Sequence, residues 1–419
     1  MIDFWAIIFG ILNVIWEIIK YGWWVILPVG LFFIFMDFWA WGQRSIFIKN
    51  MKWVFLEIKI PGNVLKTPKA MENIFTALHS IYTSDPEPSE VFFEGKVLPW
   101  YSFELVGYAG GVSFYVRAPE SAKHLVENAI YSEYPDAEIS QADDYVNFMP
   151  AVLPNDIYDI VGGYYILAKP DPYPIQTYPY FEAQVEEQRL DPVSAITEVM
   201  SRLKEGEAIW LQYLIRPIGD SWKKEGEEIR DKMYGRKKPE KKQGFLIGII
   251  DGFLEFIYHL HRAAVVHPEW AEKKASDDKG KAITLSPGER NVVEAIENKI
   301  AKYGFQSAIR FIYIDRADEF TQLNVAALAG AFKQFGTQDK NSFKTGPKIK
   351  IKKWLGQNKL YPKIALFKDY KSRKFPDKTS ILCTEELATV YHFPITSVGS
   401  PMLRRVETRK GEPPSNLPV

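Results

Sequence analysis

The side chains that most often do chemistry are sparse in this chain and are not placed at catalytic spacing. His259 and His261 lie two residues apart, so on a helix they point to different faces, which is a poor arrangement for one metal ion. Asp143 and Asp144 are adjacent acids that could bind a cation, but such a pair in a loop is usually solvated. The single cysteine, Cys383, excludes a disulfide framework and any zinc site built from several cysteines. We therefore expect no metal site, no cofactor and no catalytic residues.

Nucleotide-binding and hydrolase motifs are also missing from the sequence. The chain contains no G-x-x-x-x-G-K-[ST] phosphate loop, and the Lys344-Thr345 pair lacks the preceding glycines. Gly110-Gly111 falls between two predicted strands, where it offers no helix N-terminus to a phosphate. Neither a G-x-S-x-G elbow nor an H-E-x-x-H zinc motif occurs. The sequence therefore favours a protein that is not an enzyme.

The clearest electrostatic feature is a basic segment between Lys340 and Lys378. It contains twelve lysines and one arginine against two acids, a local charge of +11, although the net charge of the whole chain is zero. Interleaved aromatic residues make it typical of contact with a nucleic-acid backbone or an acidic partner. A solvated strip, or one lying near anionic lipid, has the same composition. The candidate contact residues are Lys348, Lys350, Lys352, Lys353, Arg373 and Lys374.

The N-terminal 44 residues differ in composition from the rest of the chain. They carry five charged residues but six of the twelve tryptophans. Residues 21–36 form an uncharged run of sixteen residues, and continuing through Asp37 to Gly42 gives 22 residues. At the helical rise this is about 33 Å, enough to cross a hydrocarbon core of about 30 Å. The sequence predicts a membrane anchor over residues 1–45 with one transmembrane helix, and residues 4–19 are either an interfacial helix or a second span.

Aromatic residues flank the predicted span. Trp23 and Trp24 mark one end, while Trp39 and Trp41 mark the other, as expected for rings at the level of the lipid headgroups. Pro28 inside the span is tolerated with a modest kink. Basic residues follow the span closely, and the positive-inside rule then places the C-terminal body in the cytoplasm. These features predict a single-pass protein with the lipid bilayer as a partner.

The body of the chain alternates predicted strands and helices. Residues 46–145 show the order β-α-β-β-α-β, which is typical of a ferredoxin-like domain. Residues 157–335 predict a second α+β domain, with an insertion at 235–284 and a capping box from Ser286 to Glu289. Within the insertion, the apolar run 245–260 fits a partner-seeking helix, an interfacial helix or a flexible segment.

The predicted fold class is therefore α+β, with several parts in order along the chain. An N-terminal transmembrane helix is followed by two ferredoxin-like domains, and residues 336–419 form an extended basic segment with one short helix near 384–391. The length of the body suits two domains, since one domain usually takes about 100–200 residues.

Several stretches of the sequence, taken in their order, carry a resemblance to a known family. They are the tryptophan-rich start, LEIKIP at 56–61, KTPKAME at 66–72, FEL at 103–105 with YAGG at 108–111, IWLQ at 209–212, LSPGE at 285–289, residues 382–394 with EELA and HFP, and PPSNLP at 413–418. Together they resemble the membrane-anchored N-terminal region of bacterial conjugation-type ATPases of type IV secretion (HerA/TraC-like).

The resemblance implies a function without catalysis by this chain. In those ATPases, a stretch like 385–394 followed by a Pro-Pro-x-Asn-Leu-Pro segment leads into a RecA-like motor, and the motor's catalytic residues have no counterparts here. It therefore implies a homo-oligomeric platform at the bacterial inner membrane that holds a separate or fused RecA-like ATPase for DNA or protein transfer. The basic segment would face the motor or its DNA. The alternatives are a membrane-bound scaffold unrelated to DNA transport and an enzyme with an unrecognised site.

Overall fold

In the computed structural model, nine strands form one antiparallel sheet in the part of the chain that the structure describes, residues 4–61, 66–109, 111–181, 191–236, 285–346 and 360–394. The strands are β1 (Trp53–Lys59), β2 (Tyr101–Tyr108), β3 (Gly111–Pro119), β4 (Glu138–Gln141), β5 (Tyr158–Leu167), β6 (Ala208–Pro217), β7 (Gly304–Arg316), β8 (Phe343–Thr345) and β9 (Ser380–Cys383). Their order across the sheet is β4-β1-β3-β2-β6-β7-β5-β8, and β9 pairs with β7.

Helices cover both faces of this sheet. They are α1 (Phe4–Asn50), α2 (Pro68–Leu78), α3 (Lys123–Glu133), α4 (Ser194–Ser201), α5 (Lys223–Met233), α6 (Pro287–Ile300), α7 (Leu323–Lys333), α8 (Leu360–Lys371) and α9 (Thr384–Val390). One face packs against α2, α3, α4, α7 and α9, and the other packs against α8 and the loop after β4. The central strands β2, β3, β6 and β7 are therefore buried on both faces, which explains their nearly continuous apolar sequences.

The two halves of the chain share this sheet, so the prediction of two ferredoxin-like domains is wrong. The first half does contain the predicted succession β1-α2-β2-β3-α3-β4. However, β2 of the first half pairs with β6 of the second over eight residues, from Tyr101 opposite Ile215 to Tyr108 opposite Ala208. Because these strands are buried on both faces, the sequence alone does not mark where one domain would end and a second sheet would begin.

The predicted transmembrane helix is also contradicted. The N-terminal residues form α1, but none of the helices in the described residues combines the length and the apolar character needed to cross a bilayer. The uncharged run of sixteen residues spans only about 24 Å, and a length of 22 residues includes Asp37 and two tryptophans. The predicted location as a single-pass inner-membrane protein with a cytoplasmic body is overturned by the same finding.

The short helix predicted near 384–391 is present as α9, but the predicted extended segment before it is corrected, because residues 360–383 contain α8 and β9. These elements are ordered by burial of apolar side chains: Leu366, Phe367 and Tyr370 pack on one face of the sheet, and Leu382 and Leu387 pack on the other. The predicted insertion lies mostly outside the described residues, which resume at 285, and so do 347–359 and 395–419.

The capping box predicted at the start of α6 is confirmed. The Glu289 backbone N–H donates to the Ser286 hydroxyl oxygen at 3.3 Å, and the Ser286 backbone N–H donates to the Glu289 carboxylate at 2.9 Å. We expect Ser286→Ala to lower the free energy of unfolding by about 1 kcal/mol, because it leaves a helix-end N–H without a partner. Ser286→Asp keeps a hydrogen-bond acceptor, so its free energy of unfolding should stay close to that of the parent protein. Urea denaturation measures both, and equal stability of the Ala variant and the parent would contradict this expectation.

Candidate functional site

A row of polar residues crosses the centre of the sheet. Glu104 on β2 lies opposite Tyr115 on β3 and Gln212 on β6. Gln212 in turn lies opposite Arg310 on β7, which faces Tyr164 on β5. Directly opposed residues of antiparallel strands share a face, so these five side chains, the polar row, project toward α8. Residues after α8 supply a cation for Glu104 and a carbonyl acceptor for one nitrogen of Arg310.

The partner is Arg373, which is 1% exposed and lies in the C-terminal strap, residues 370–375, which run from the end of α8 toward β9. Its Nε and Nη2 atoms donate to the two carboxylate oxygens of Glu104, both at 3.0 Å. Nη2 also donates to Asp144 at 2.8 Å, while Nη1 donates to the other Asp144 oxygen and to the Lys371 carbonyl at 3.1 Å. All five N–H groups of the guanidinium are therefore used.

Arg373 holds this position despite an unfavourable backbone. Its φ of 49° lies in the left-handed region, which costs a residue with a side chain about 1–3 kcal/mol. The paired carboxylates offset that cost. Arg310 holds Lys374, the residue after Arg373, because the Nη2 atom of Arg310 donates to the Lys374 carbonyl at 2.6 Å. The strap is thus held against the sheet by two buried arginines.

Hydroxyl and amide groups complete the shell around Glu104. Its carboxylate accepts from the Ser102 hydroxyl at 2.5 Å, the Tyr145 hydroxyl at 2.7 Å and the Gln212 amide at 3.1 Å. Burial alone would raise the pKa of Glu104, but the charge and hydrogen bonds of Arg373 outweigh it, so the pKa lies below its ordinary value. Burial raises the pKa of Tyr145 and keeps its hydroxyl protonated. We call Glu104, Asp144 and Arg373 the clasp. Its arginine lies between two carboxylates, and its role is structural.

Acid is expected to weaken this clasp. A carboxyl group whose folded pKa is below its unfolded value stabilises the fold above that unfolded value, and the contribution is lost as the pH falls through the folded pKa. The free energy of unfolding should therefore decrease as the pH drops below about 4.5, the ordinary value for a glutamate. The free energy of unfolding of the Glu104→Gln variant should decrease less steeply than that of the parent between about pH 5 and 3. Urea unfolding at several pH values tests this, and equal slopes for the two proteins would contradict it.

A second buried ion pair anchors β9 and α9 to the body. Lys299, at the end of α6, and Glu386, in the first turn of α9, are 1% and 0% exposed and lie 3.0 Å apart. Lys299 also donates to the Ile381 carbonyl at 2.9 Å and to the Asp171 carbonyl. Glu386 accepts from the Cys383 backbone N–H at 2.9 Å. The pair thus connects α6, β9 and α9.

His392 makes a third buried contact just after α9. Its Nε2 atom lies 2.9 Å from the Asp191 carboxylate and its Nδ1 atom lies 2.8 Å from the Ala388 carbonyl. Asp191 also accepts from the Val193 and Ser194 backbone N–H groups. Both ring nitrogens therefore lie within hydrogen-bond distance of buried oxygen atoms. His392 therefore secures the segment rather than facing a substrate.

The structure separates the residues that the sequence grouped as a basic contact surface. Arg373 is buried in the clasp, whereas Lys374 beside it is exposed. The other candidates, Lys348, Lys350, Lys352 and Lys353, lie outside the described residues. The side chains proposed to flank a span are on α1, where Trp23, Trp24 and Trp41 are 57%, 65% and 68% exposed, Trp39 is 41% exposed and Pro28 is exposed.

Sequence reasoning missed the polar row, although a signal for it exists. Glu104, Gln212 and Arg310 each stand in the middle of an otherwise apolar strand. A charged residue in such a place needs a buried partner, because an unpaired charge in the interior is very costly. The sequence does not show where that partner lies. Arg373, the partner of Glu104, is 269 residues further along the chain.

The comparisons with known proteins give a family and no activity. In the residues that the structure describes, no group of three or more His, Cys, Asp or Glu side chains is placed to hold a metal ion. No curated protein matches the sequence significantly. A family model described as "Domain of unknown function (DUF8128)" matches residues 49–403, which is most of the chain. The chain therefore belongs to the DUF8128 family.

Proposed function

We propose that this protein is a non-catalytic platform that binds a RecA-like motor ATPase (HerA/FtsK-like) engaged in DNA or protein transfer. One observation carries the proposal. Residues 382–394 resemble the stretch that leads into the motor of conjugation-type ATPases, and here they are fixed to the sheet by the Lys299–Glu386 and His392–Asp191 contacts. A platform needs such rigidity, because a partner bound to it is then held in one orientation.

An exposed basic surface supports the same proposal. Lys368, Lys374 and Lys378 are exposed around the strap, and Lys371 among them is half-buried. None of these four lysines forms a salt bridge with another described residue, so their charges are available to a partner. Unpaired lysines on a rigid surface attract an acidic protein face or a DNA backbone and accelerate association.

Binding between purified proteins tests the proposal. The full-length chain is mixed with the HerA/FtsK-like ATPase encoded by the same genome, and complex formation is measured by calorimetry, with ATP hydrolysis as a second readout. We expect a complex whose affinity falls at least about tenfold in the variant Lys368→Glu/Lys374→Glu/Lys378→Glu, because three like-signed contacts become repulsive. Lys333→Glu, an exposed lysine on α7, is the matched control and should bind as the parent does.

Two outcomes would overturn the proposal. The first is the absence of a complex with any such ATPase of that genome. The second is ATP hydrolysis by the purified chain alone. A parallel titration with duplex DNA shows whether the basic surface contacts DNA directly, because phosphate contacts weaken steeply as salt rises.

A further inference from the structure

A cavity of about 590 Å³ is bounded by α1, the segment 85–98 and the ends of β6, β7 and β9. Its wall includes Arg44, Lys96, Arg216, Ser221, Trp222 and Gln306. The 85–98 segment closes on α1 through Gly95, which has a φ of +67°. A Cβ atom at Gly95 would lie 2.2 Å from the Gln43 carbonyl carbon, so only glycine lets the two backbones meet here.

Two arginines bring positive charge to this cavity, and neither forms a salt bridge with an acid of the described residues. Arg216, at the end of β6, directs Nε and Nη2 at the neutral Gln306 side-chain oxygen, and its guanidinium lies 4.3 Å from the centre of the Phe375 ring. Arg44 comes from α1 and forms no salt bridge with the described residues. Burial and the charge of Arg44 lower the pKa of Arg216, as expected for a partly buried cation with a second cation nearby.

The other charged groups in the wall do not remove this excess. Lys96 is held by Glu90 at 2.6 Å. Asp85 is the acid in the wall, and it makes no salt bridge with either arginine. Two cations therefore remain for a ligand, and the partial burial of Arg216 strengthens its attraction for an anion.

The rest of the cavity wall is suited to an apolar group. It contains Val91, Val97, Leu98, Ile218, Ile381 and the indole of Trp222. The Trp222 side chain is 7% exposed, and its Nε1 atom has no hydrogen-bond partner among the described residues. The Nε1 atom lies beside Gly304, so the indole contributes ring surface to the wall.

From these features we infer that the cavity binds a small phosphate monoester whose organic part is apolar or aromatic. A phosphate monoester carries a charge of about −1.5 to −2 at neutral pH, which matches two arginines, whereas a carboxylate matches only one. Guanidinium groups also fit the oxygens of a phosphate with paired hydrogen bonds. The apolar wall and the indole then hold the organic part. This inference is independent of the proposed platform function.

Calorimetric titration of the full-length protein tests the inference with four probes: inorganic phosphate, hexyl phosphate, AMP and hexanoate. We expect hexyl phosphate or AMP to bind at least about tenfold more tightly than inorganic phosphate and hexanoate, and the better ester identifies the organic part as aliphatic or aromatic. Inorganic phosphate or hexanoate binding as tightly as both esters would overturn the inference. So would the absence of ester binding at millimolar concentration.

Variants of the two arginines show whether binding occurs in this cavity. Arg44→Gln and Arg216→Gln should each weaken ester binding at least about tenfold, since each removes one charge-assisted contact. Arg44 lies on the exposed surface of α1, so its variant remains informative even where Arg216→Gln perturbs folding. Arg202→Gln, an exposed arginine paired with Glu198, is the matched control and should leave affinity unchanged. Unchanged affinity in the Arg44 variant, with the fold confirmed by circular dichroism, would overturn the assignment.

Discussion

Replacing Arg373 with methionine is expected to lower the free energy of unfolding by about 3–5 kcal/mol, because breaking a buried ion pair leaves its partner charge without compensation. Glu104 is fully buried and would keep only neutral donors, from Ser102, Tyr145 and Gln212. The strap would also lose its contact with Asp144. Urea or guanidinium denaturation followed by circular dichroism measures the loss as a lower midpoint.

Two further variants separate the ion pair from other effects at this position. Lys374→Met changes the exposed residue next to Arg373, and its free energy of unfolding should stay within about 0.5 kcal/mol of the parent value. Arg373→Met combined with Glu104→Gln should recover part of the stability, because the unpaired charge is removed together with its partner. A single Arg373→Met variant as stable as the parent would show that the clasp does not hold the strap.

Lys299→Met should have an effect of similar size, about 3–5 kcal/mol, because Glu386 would be left as a buried carboxylate without its cation. Two carbonyl groups, those of Asp171 and Ile381, would lose a donor at the same time. The consequence should appear first at the C-terminal elements, and hydrogen exchange in β9 and α9 should accelerate more than exchange in β1 to β4.

Lys333→Met is the control for this prediction, because Lys333 is an exposed lysine in the last turn of a neighbouring helix. Its stability should lie within about 0.5 kcal/mol of the parent. Uniform acceleration of exchange across the sheet in Lys299→Met would indicate that β9 and α9 do not open as a separate unit.

Features that depend on nearby residues could be predicted from the sequence. Thr67 caps α2, where its hydroxyl accepts from the Lys69 backbone N–H, and Ser286 begins α6 with a capping box. In both cases the residues that decide the structure lie within one helical turn, so the pattern contains the complete interaction. The strands β2, β3, β6 and β7 were recognisable for a similar reason, since short apolar runs between turns favour buried strands.

Features that depend on distant residues could not be predicted in this way. The pairing of β2 with β6 joins residues about a hundred positions apart, and neither strand shows in its sequence which edge it uses. Arg373 was assigned to a basic surface because lysines surround it, yet its role is decided by Glu104 and Asp144. The nearby aromatic residues Phe367 and Tyr370 are buried, and in the sequence they were the signal that residues 366–373 pack against the sheet.

The central β2–β6 pairing also governs how this polypeptide must acquire its structure. Most of the sheet's hydrogen bonds at the centre connect regions that are synthesised far apart, so the contact order is high and folding should be slow compared with helical proteins of similar size. Until β6 has left the ribosome, β2 presents an eight-residue open edge. Such an edge can pair with another nascent chain, so the molecule depends on rapid closure or on chaperones to avoid domain swapping and aggregation.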